Sequence, residues 1–169
     1  MKNLKKNFIN SKESPFIIAE VSGNHGGSLK KMLKIVDEVA KTGASAIKLQ
    51  TLKPENITLN SNSAEFIISD KKSKWNNLKL YDLYKKSQTP WEWHKIIFEK
   101  AKKLGLYAFS TPFDLTAVDF LEKLKVPMYK IASFENNHLP LIGHVAKTKK
   151  PLIISTGMAS IEEITEMVK

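Results

Sequence analysis

Two lysines stand where lysine is least expected. Lys48 in ASAIKLQ and Lys130 in PMYKIAS sit among apolar neighbours, in short runs that read as buried strands. An unpaired ammonium in such surroundings costs several kcal/mol even after relaxation, so each must face an acidic partner or an anionic ligand. Glu20 or Glu135 would serve as the partner in an internal salt bridge. The rest of the inventory favours a ligand. Gln50, Ser110 and Thr111, Ser133, Ser155 and Thr156 all fall at the ends of apolar runs. Cations, hydroxyls and a carboxamide converging on one rim make a cradle for phosphate and carboxylate. Alternation puts Lys48 and Gln50 on one strand face and Lys130 on a face with Ala132, while Ser133 and Glu135 lie just past the strand, where the chain turns.

Histidine carries less. His25 follows the first apolar run and is placed to touch a ligand. His94, His138 and His144 fall on expected helices or their starts, where a packed or solvated role is favoured. No two have metal-ligand spacing such as i and i+4. With no cysteine there is no disulfide, no thiolate nucleophile and no Cys-ligated metal.

The elements that must position these residues alternate. PFIIAEV, ASAIKLQ, LYAFS, PMYKIAS and PLIIST read as strands; helices are expected near 28–41, 90–104, 114–124, 138–147 and 160–169. Ser28 and Asp114 are the expected N-caps, and Gly43 and Gly105 follow helix C-termini. Such alternation means α/β architecture with parallel strands and right-handed crossovers, closing as a doubly wound sheet or an eight-stranded barrel. The stretch from Thr51 to Thr89 breaks the rhythm and reads as a long functional loop at the strand C-terminal end. Its Trp75, Tyr81 and Tyr84 either form a substrate wall or anchor the loop, and anchoring is favoured.

The formal net charge is +10, and every basic residue is lysine. Guanine readout and minor-groove insertion lean on arginine, so no nucleic-acid partner is expected, and lysines scattered along helices read as solvated faces. The longest apolar runs fall short of the roughly 20 residues a membrane-spanning helix needs, and the basic N-terminus lacks an apolar stretch of signal-peptide length. A cytoplasmic protein without membrane partners is the expectation.

IAEVSGNHGG, AIKLQT, FSTPFD, VPMYKIASFE and PLIISTGMASIEEI, in this order and spacing, resemble the sialic acid synthases, a family of N-acetylneuraminate, legionaminate and pseudaminate synthases. The resemblance runs from about Phe16 to the end. LYDLYKKSQTPWEWH and ASFE are most similar to the pseudaminic acid branch; the neuraminate branch has a glycine where this chain has Phe134. The resemblance implies the first five β/α units of a (β/α)8 TIM barrel over residues 16–169, after an N-terminal extension over 1–15. A C-terminal half-barrel and an antifreeze-like domain are expected to be absent, the parent enzyme is expected to be a homodimer, and the fragment alone is expected to be inactive.

By the same resemblance the chemistry is condensation of phosphoenolpyruvate with an open-chain amino-sugar aldehyde, giving a nonulosonic acid and phosphate. Lys48, Thr111, Lys130, Ser133 and Ser155 then hold phosphoenolpyruvate. Gln50 binds near the sugar, with Glu20 and Glu135 as the catalytic candidates. A Mn²⁺ or Mg²⁺ ion would polarise the aldehyde, its histidine ligands lying in the missing half, so no metal ligand is expected here. The rivals are another synthase of the family, a Schiff-base aldolase using Lys130, and a non-catalytic half-barrel that binds a partner chain.

Overall fold

A computed structural model describes residues 14–169; the expected extension over 1–15 lies, up to residue 13, outside the described residues. Five strands form one sheet in the order in which they occur along the chain: β1 (Ile18–Glu20), β2 (Ala46–Thr51), β3 (Tyr107–Pro112), β4 (Tyr129–Ile131) and β5 (Leu152–Ile154). Every neighbouring pair is parallel, with Glu20 beside Lys48, Gln50 beside Thr111 and Lys130 beside Ile153. A doubly wound sheet reverses its strand order at a switch point. This sheet never does, so it is an arc of a barrel, its β1 and β5 each pairing on one side only.

The helices are α1 (Leu29–Lys41), α2 (Leu80–Ser87), α3 (Trp91–Lys103), α4 (Leu115–Lys123), α5 (Leu139–Ala146) and α6 (Ile161–Val168). Ser28 caps α1 through the Lys31 N–H, and Asp114 caps α4 through the Ala117 N–H, as their side-chain acceptors predict. α6 begins with a reciprocal capping box between Ser160 and Glu163. The expected loop from Thr51 to Thr89 is more ordered than its composition indicates. It contains 3-10 turns at Pro54–Asn56 and Ala64–Phe66, an antiparallel bridge between Ile67 and Lys79, and helix α2. That helix lacks a side-chain cap and follows a run of Asn, Ser and Lys, which hid its start.

Alternation sorts the strand residues between two layers. Ile47 and Leu49 face outward and pack with Met32, Val36, Ile97 and Ala101 of α1 and α3. Tyr129 and Ile131 likewise pack with Leu121, Leu141 and Val145 of α4 and α5. Ala46, Phe109 and Met128 form a separate cluster on the opposite face, with Phe16, Tyr107 and Ile153 packed against it. This inner cluster sits toward the N-terminal ends of the strands. It is the floor on which the polar residues of the C-terminal ends stand.

Candidate active site

Because Ala46 and Phe109 point to the inner face, so do Lys48 and Gln50, two and four residues after Ala46, and Thr111, two residues after Phe109. Lys48 is only 3% exposed. Its Nζ lies 3.3 Å from Glu20 Oε1 and donates to Thr111 Oγ1 at 3.3 Å. The internal salt bridge weighed against a ligand role is therefore present for Lys48, with the more exposed Glu20 as partner. Burial pulls the Lys48 pKa below the ordinary lysine value, Glu20 pushes it back up, and Lys130 lowers it further. Lys48 thus feels the Lys130 ammonium across the inner face. Lys130 itself forms no ion pair within 4.0 Å among the described residues.

Glu135 ends the 3-10 turn Ser133–Glu135 that follows β4. Burial raises its carboxyl pKa, while a backbone hydrogen bond and Lys130 offset part of the rise. Its Oε2 is buried and has no hydrogen-bond partner among the described residues. An unsatisfied buried acceptor is costly, so this carboxyl is arranged either to hold a proton or to accept a donor from a ligand. Ser133 and Ser155 complete the set at the β4–β5 side, both half-buried. Gly157 packs so tightly on Ser133 that an added Cβ would lie 2.9 Å from its Oγ. Asn136, which sequence reasoning missed, ties these loops by donating from Nδ2 to the carbonyls of Gly157 at 3.0 Å and Ser155 at 3.4 Å.

On the other side, Ser22 adopts a left-handed conformation with φ of 50° and donates from Oγ to Gln50 Oε1 at 3.1 Å. Gly23 beside it approaches the end of α2, where a Cβ would stand 2.9 Å from Ser87 Cβ. Next to Gln50 and Glu135 opens a cleft of about 1220 Å³ whose outer wall comes from the segment between β2 and α3. Trp75 is 55% exposed and Tyr84 half-buried, and both line it. The anchoring role expected for Trp75 is thus corrected: its side chain is left largely exposed on the cleft wall and is not covered by the rest of its segment. Tyr81 lies half-buried away from the cleft.

Two other expectations change. Ser110 points to the helical layer, where its Oγ lies 2.6 Å from Thr51 Oγ1, itself 2.8 Å from His94 Nε2. It is out of phase with Thr111 and belongs to no inner rim. His25 is fully buried; its Nδ1 accepts the Gly27 N–H at 3.1 Å, which leaves Nε2 to donate to Thr89 Oγ1 at 3.2 Å. It fastens the turn after β1 and does not face a ligand. His94 is buried, His138 is exposed and His144 pairs with Asp119 at 2.8 Å. Among the described residues no three His, Cys, Asp or Glu side chains converge as a cation site, and no helix is long and apolar enough to cross a membrane.

Fold and site together define the class: a parallel barrel arc with a cationic and hydroxyl-lined rim at the C-terminal ends of its strands, where barrel enzymes assemble their chemistry. Residues 35–169 match the NeuB family, and the chain belongs to it. It is 48% identical over 92% of its length to a pseudaminic acid synthase of Campylobacter jejuni, covering 45% of that protein. Against an N,N'-diacetyllegionaminic acid synthase of the same species identity falls to 36%, over 89% of this chain and 44% of that protein. The crystal structure of N-acetylneuraminic acid synthetase from Leptospira borgpetersenii, in complex with citrate, superposes with a TM-score of 0.76 at 30% identity, over 90% of this chain and 48% of that one. The chain thus spans about half the length of the relatives it matches.

Proposed function

We propose that this chain supplies the phosphoenolpyruvate-binding half of a synthase that condenses phosphoenolpyruvate with an open-chain amino-sugar aldehyde, in a cytoplasmic homodimer. The observation that carries the reading is the pairing of Lys48 and Lys130 on one inner face, where the second ammonium depresses the pKa of the first, beside a buried carboxyl with an orphan oxygen. Phosphoenolpyruvate brings a phosphate and a carboxylate. Placed between the two ammonium groups, it relieves their repulsion and lets Thr111, Ser133 and Ser155 donate to its oxygens. Lys48 then exchanges or shares its contact with Glu20, which is half exposed and free to turn toward the sugar with Gln50.

Bond formation runs from carbon 3 of phosphoenolpyruvate to the aldehyde carbon, whose oxygen takes up a proton. Water adds at carbon 2 and gives up its proton, and the bond from carbon 2 to the bridging oxygen breaks to release phosphate. Glu135 is the group assigned to the water and to the cationic character at carbon 2, where a carboxyl whose burial favours its protonated form can exchange a proton with the water. Glu20 is the second candidate for this work. The divalent cation implied by the resemblance finds no ligand set among these residues, and no step here runs through it.

The sugar we assign is 2,4-diacetamido-2,4,6-trideoxy-altrose, giving pseudaminic acid. Its support is the sequence ASFE, the PWEWH segment and the difference in identity between the two Campylobacter relatives. The test supplies the chain with a complementary C-terminal half and follows phosphate release from phosphoenolpyruvate with this sugar or with N-acetylmannosamine. The trideoxy sugar should be preferred. Preference for N-acetylmannosamine would move the assignment to the neuraminate branch.

A further inference from the structure

Three polar side chains with no part in the proposed chemistry lie in one buried line behind the rim: His94 on α3, Thr51 at the end of β2 and Ser110 on β3. The direction of their hydrogen bonds follows from the one partner that can only accept. His94 Nδ1 lies 3.2 Å from the Pro90 carbonyl, so it carries the proton and Nε2 must accept. Thr51 Oγ1, 2.8 Å from Nε2, therefore gives its single hydrogen to the ring. Ser110 Oγ, 2.6 Å from Thr51 Oγ1, donates to Thr51 in turn. The start of α3 holds the end of β2 a second time, through Trp91 Nε1 on the Leu52 carbonyl at 3.2 Å. These bonds fall where the backbone ladder runs out, since Thr51 stands beside Pro112, which has no N–H to donate. Alternation makes the inner rim their immediate neighbour. Thr51 follows Gln50, and Ser110 precedes Thr111, the residue that pairs with Gln50 and accepts from Lys48 Nζ at 3.3 Å.

We propose that His94 is a positioning residue for the anion cradle: through Thr51 and Ser110 it fixes the C-terminal ends of β2 and β3 against each other, and so sets where Gln50, Thr111 and the Lys48 ammonium stand on the inner face. The inference rests on the synthase reading for its ligand, phosphoenolpyruvate. Donors that must meet the oxygens of one small anion have to be held to within about 0.5 Å, by side chains that are themselves locked from behind. A buried polar line with each of its bonds made supplies that rigidity, because every bond has a direction as well as a length. Apolar side chains at these three places would fill the helical layer yet leave no directed bond between the two strand ends. Slip of one end past the other carries Thr111 away from Lys48 Nζ, and with it one of the hydroxyls that the phosphate or carboxylate requires.

The test breaks the line at its middle. Thr51→Val keeps the shape of the side chain and removes the hydroxyl, whereas Thr51→Ser keeps the hydroxyl. Two readouts are taken well below the unfolding temperature of each protein: the Thr111 methyl resonance without ligand, and the phosphoenolpyruvate dissociation constant by calorimetry. Thr51→Val should move the Thr111 resonance and weaken binding about fivefold or more, and Thr51→Ser should restore most of both. His94→Leu should match Thr51→Val, and the double variant should lose no more affinity than either single one, because both changes break the same bond. Should His94→Leu fail to fold, the two Thr51 variants decide. Val36→Ala, a truncation in the same helical layer away from the line, lowers stability and should leave both readouts unchanged. A Thr111 resonance and an affinity unaltered in Thr51→Val, or an equal loss of affinity in Val36→Ala, overturns the positioning role. Failure of the unaltered chain to bind phosphoenolpyruvate overturns the synthase reading, and the ligand-free Thr111 resonance then decides on the positioning role by itself.

Discussion

Acidification from about pH 7 to pH 4 forces a proton onto a side chain that the fold keeps neutral. His94 is fully buried behind β2 and β3. Its Nδ1 donates to the Pro90 carbonyl at 3.2 Å, and its Nε2 accepts from Thr51 Oγ1 at 2.8 Å. The rings of Phe98 and Phe120 lie edge-on at 5.7 and 5.4 Å. A second proton would land on Nε2, where Thr51 would have to turn its hydroxyl away, and burial brings the pKa down from 6.5 to about 4. The folded state thus resists protonation while the unfolded chain accepts it. Stability from neutral His94 is fully present above about pH 6.5 and is lost as the pH falls toward about 4, a loss of about 3 kcal/mol at 1.36 kcal/mol per unit. Urea unfolding followed by tryptophan fluorescence at a series of pH values measures it. His25, depressed by burial and by Lys31, acts with the same sign; Glu135, raised by burial, acts with the opposite one. The decisive quantity is therefore the difference between the chain and His94→Gln, which keeps a polar amide but cannot titrate. The variant should be less stable at pH 7, and its curve should converge on that of the parent toward pH 4. Parallel curves across this range would refute the reasoning.

Gly157→Ala should push Ser133 off its position, since the new Cβ would meet Ser133 Oγ at 2.9 Å; phosphoenolpyruvate affinity by calorimetry should fall severalfold. Asn136→Ala leaves the Ser155 and Gly157 carbonyls without their donor and should cost roughly 1–2 kcal/mol in a urea titration. The chain alone should release no phosphate from phosphoenolpyruvate and sugar even with added Mn²⁺, because the inner face is open along β1 and β5 and no cation site forms among the described residues; turnover in a phosphate-release assay would contradict this. Borohydride with pyruvate and the chain should trap no adduct on Lys130 by mass spectrometry, since the proposed route forms no imine; a labelled Lys130 would favour the aldolase rival.

The strands and the helices around them were legible because each is a short apolar run or an amphipathic stretch with its own cap, as Ser28 and Asp114 show. Strand alternation was enough to put Lys48, Gln50 and Thr111 on one face, though not to see that Ser110, one residue away, would turn to Thr51 and His94. Helix α2 was hidden because its supporting contacts come from distant residues, the 3-10 turn at Pro54–Asn56 and the turn after β1, where Gly23 meets Ser87; that is tertiary information. His25 and Trp75 were misjudged for the same reason in opposite directions. A histidine after a strand and a tryptophan in a polar loop look alike in sequence, and only the path of the loop decides which one is covered. Asn136 left no signal, since an asparagine following a turn is common and its two acceptors lie 19 and 21 residues away.

The central claim is that Lys48 and Lys130 together hold phosphoenolpyruvate, and calorimetric titration of the chain with it, beside Lys130→Met, tests that claim most directly. The substitution keeps the side-chain length and removes a charge that has no ion-pair partner among the described residues. Loss of a charge-assisted contact of roughly 1.5–3 kcal/mol predicts saturable binding by the chain and an affinity about ten- to a hundredfold weaker in the variant. Equal affinity in the two proteins, or no binding by the unaltered chain, would contradict the account.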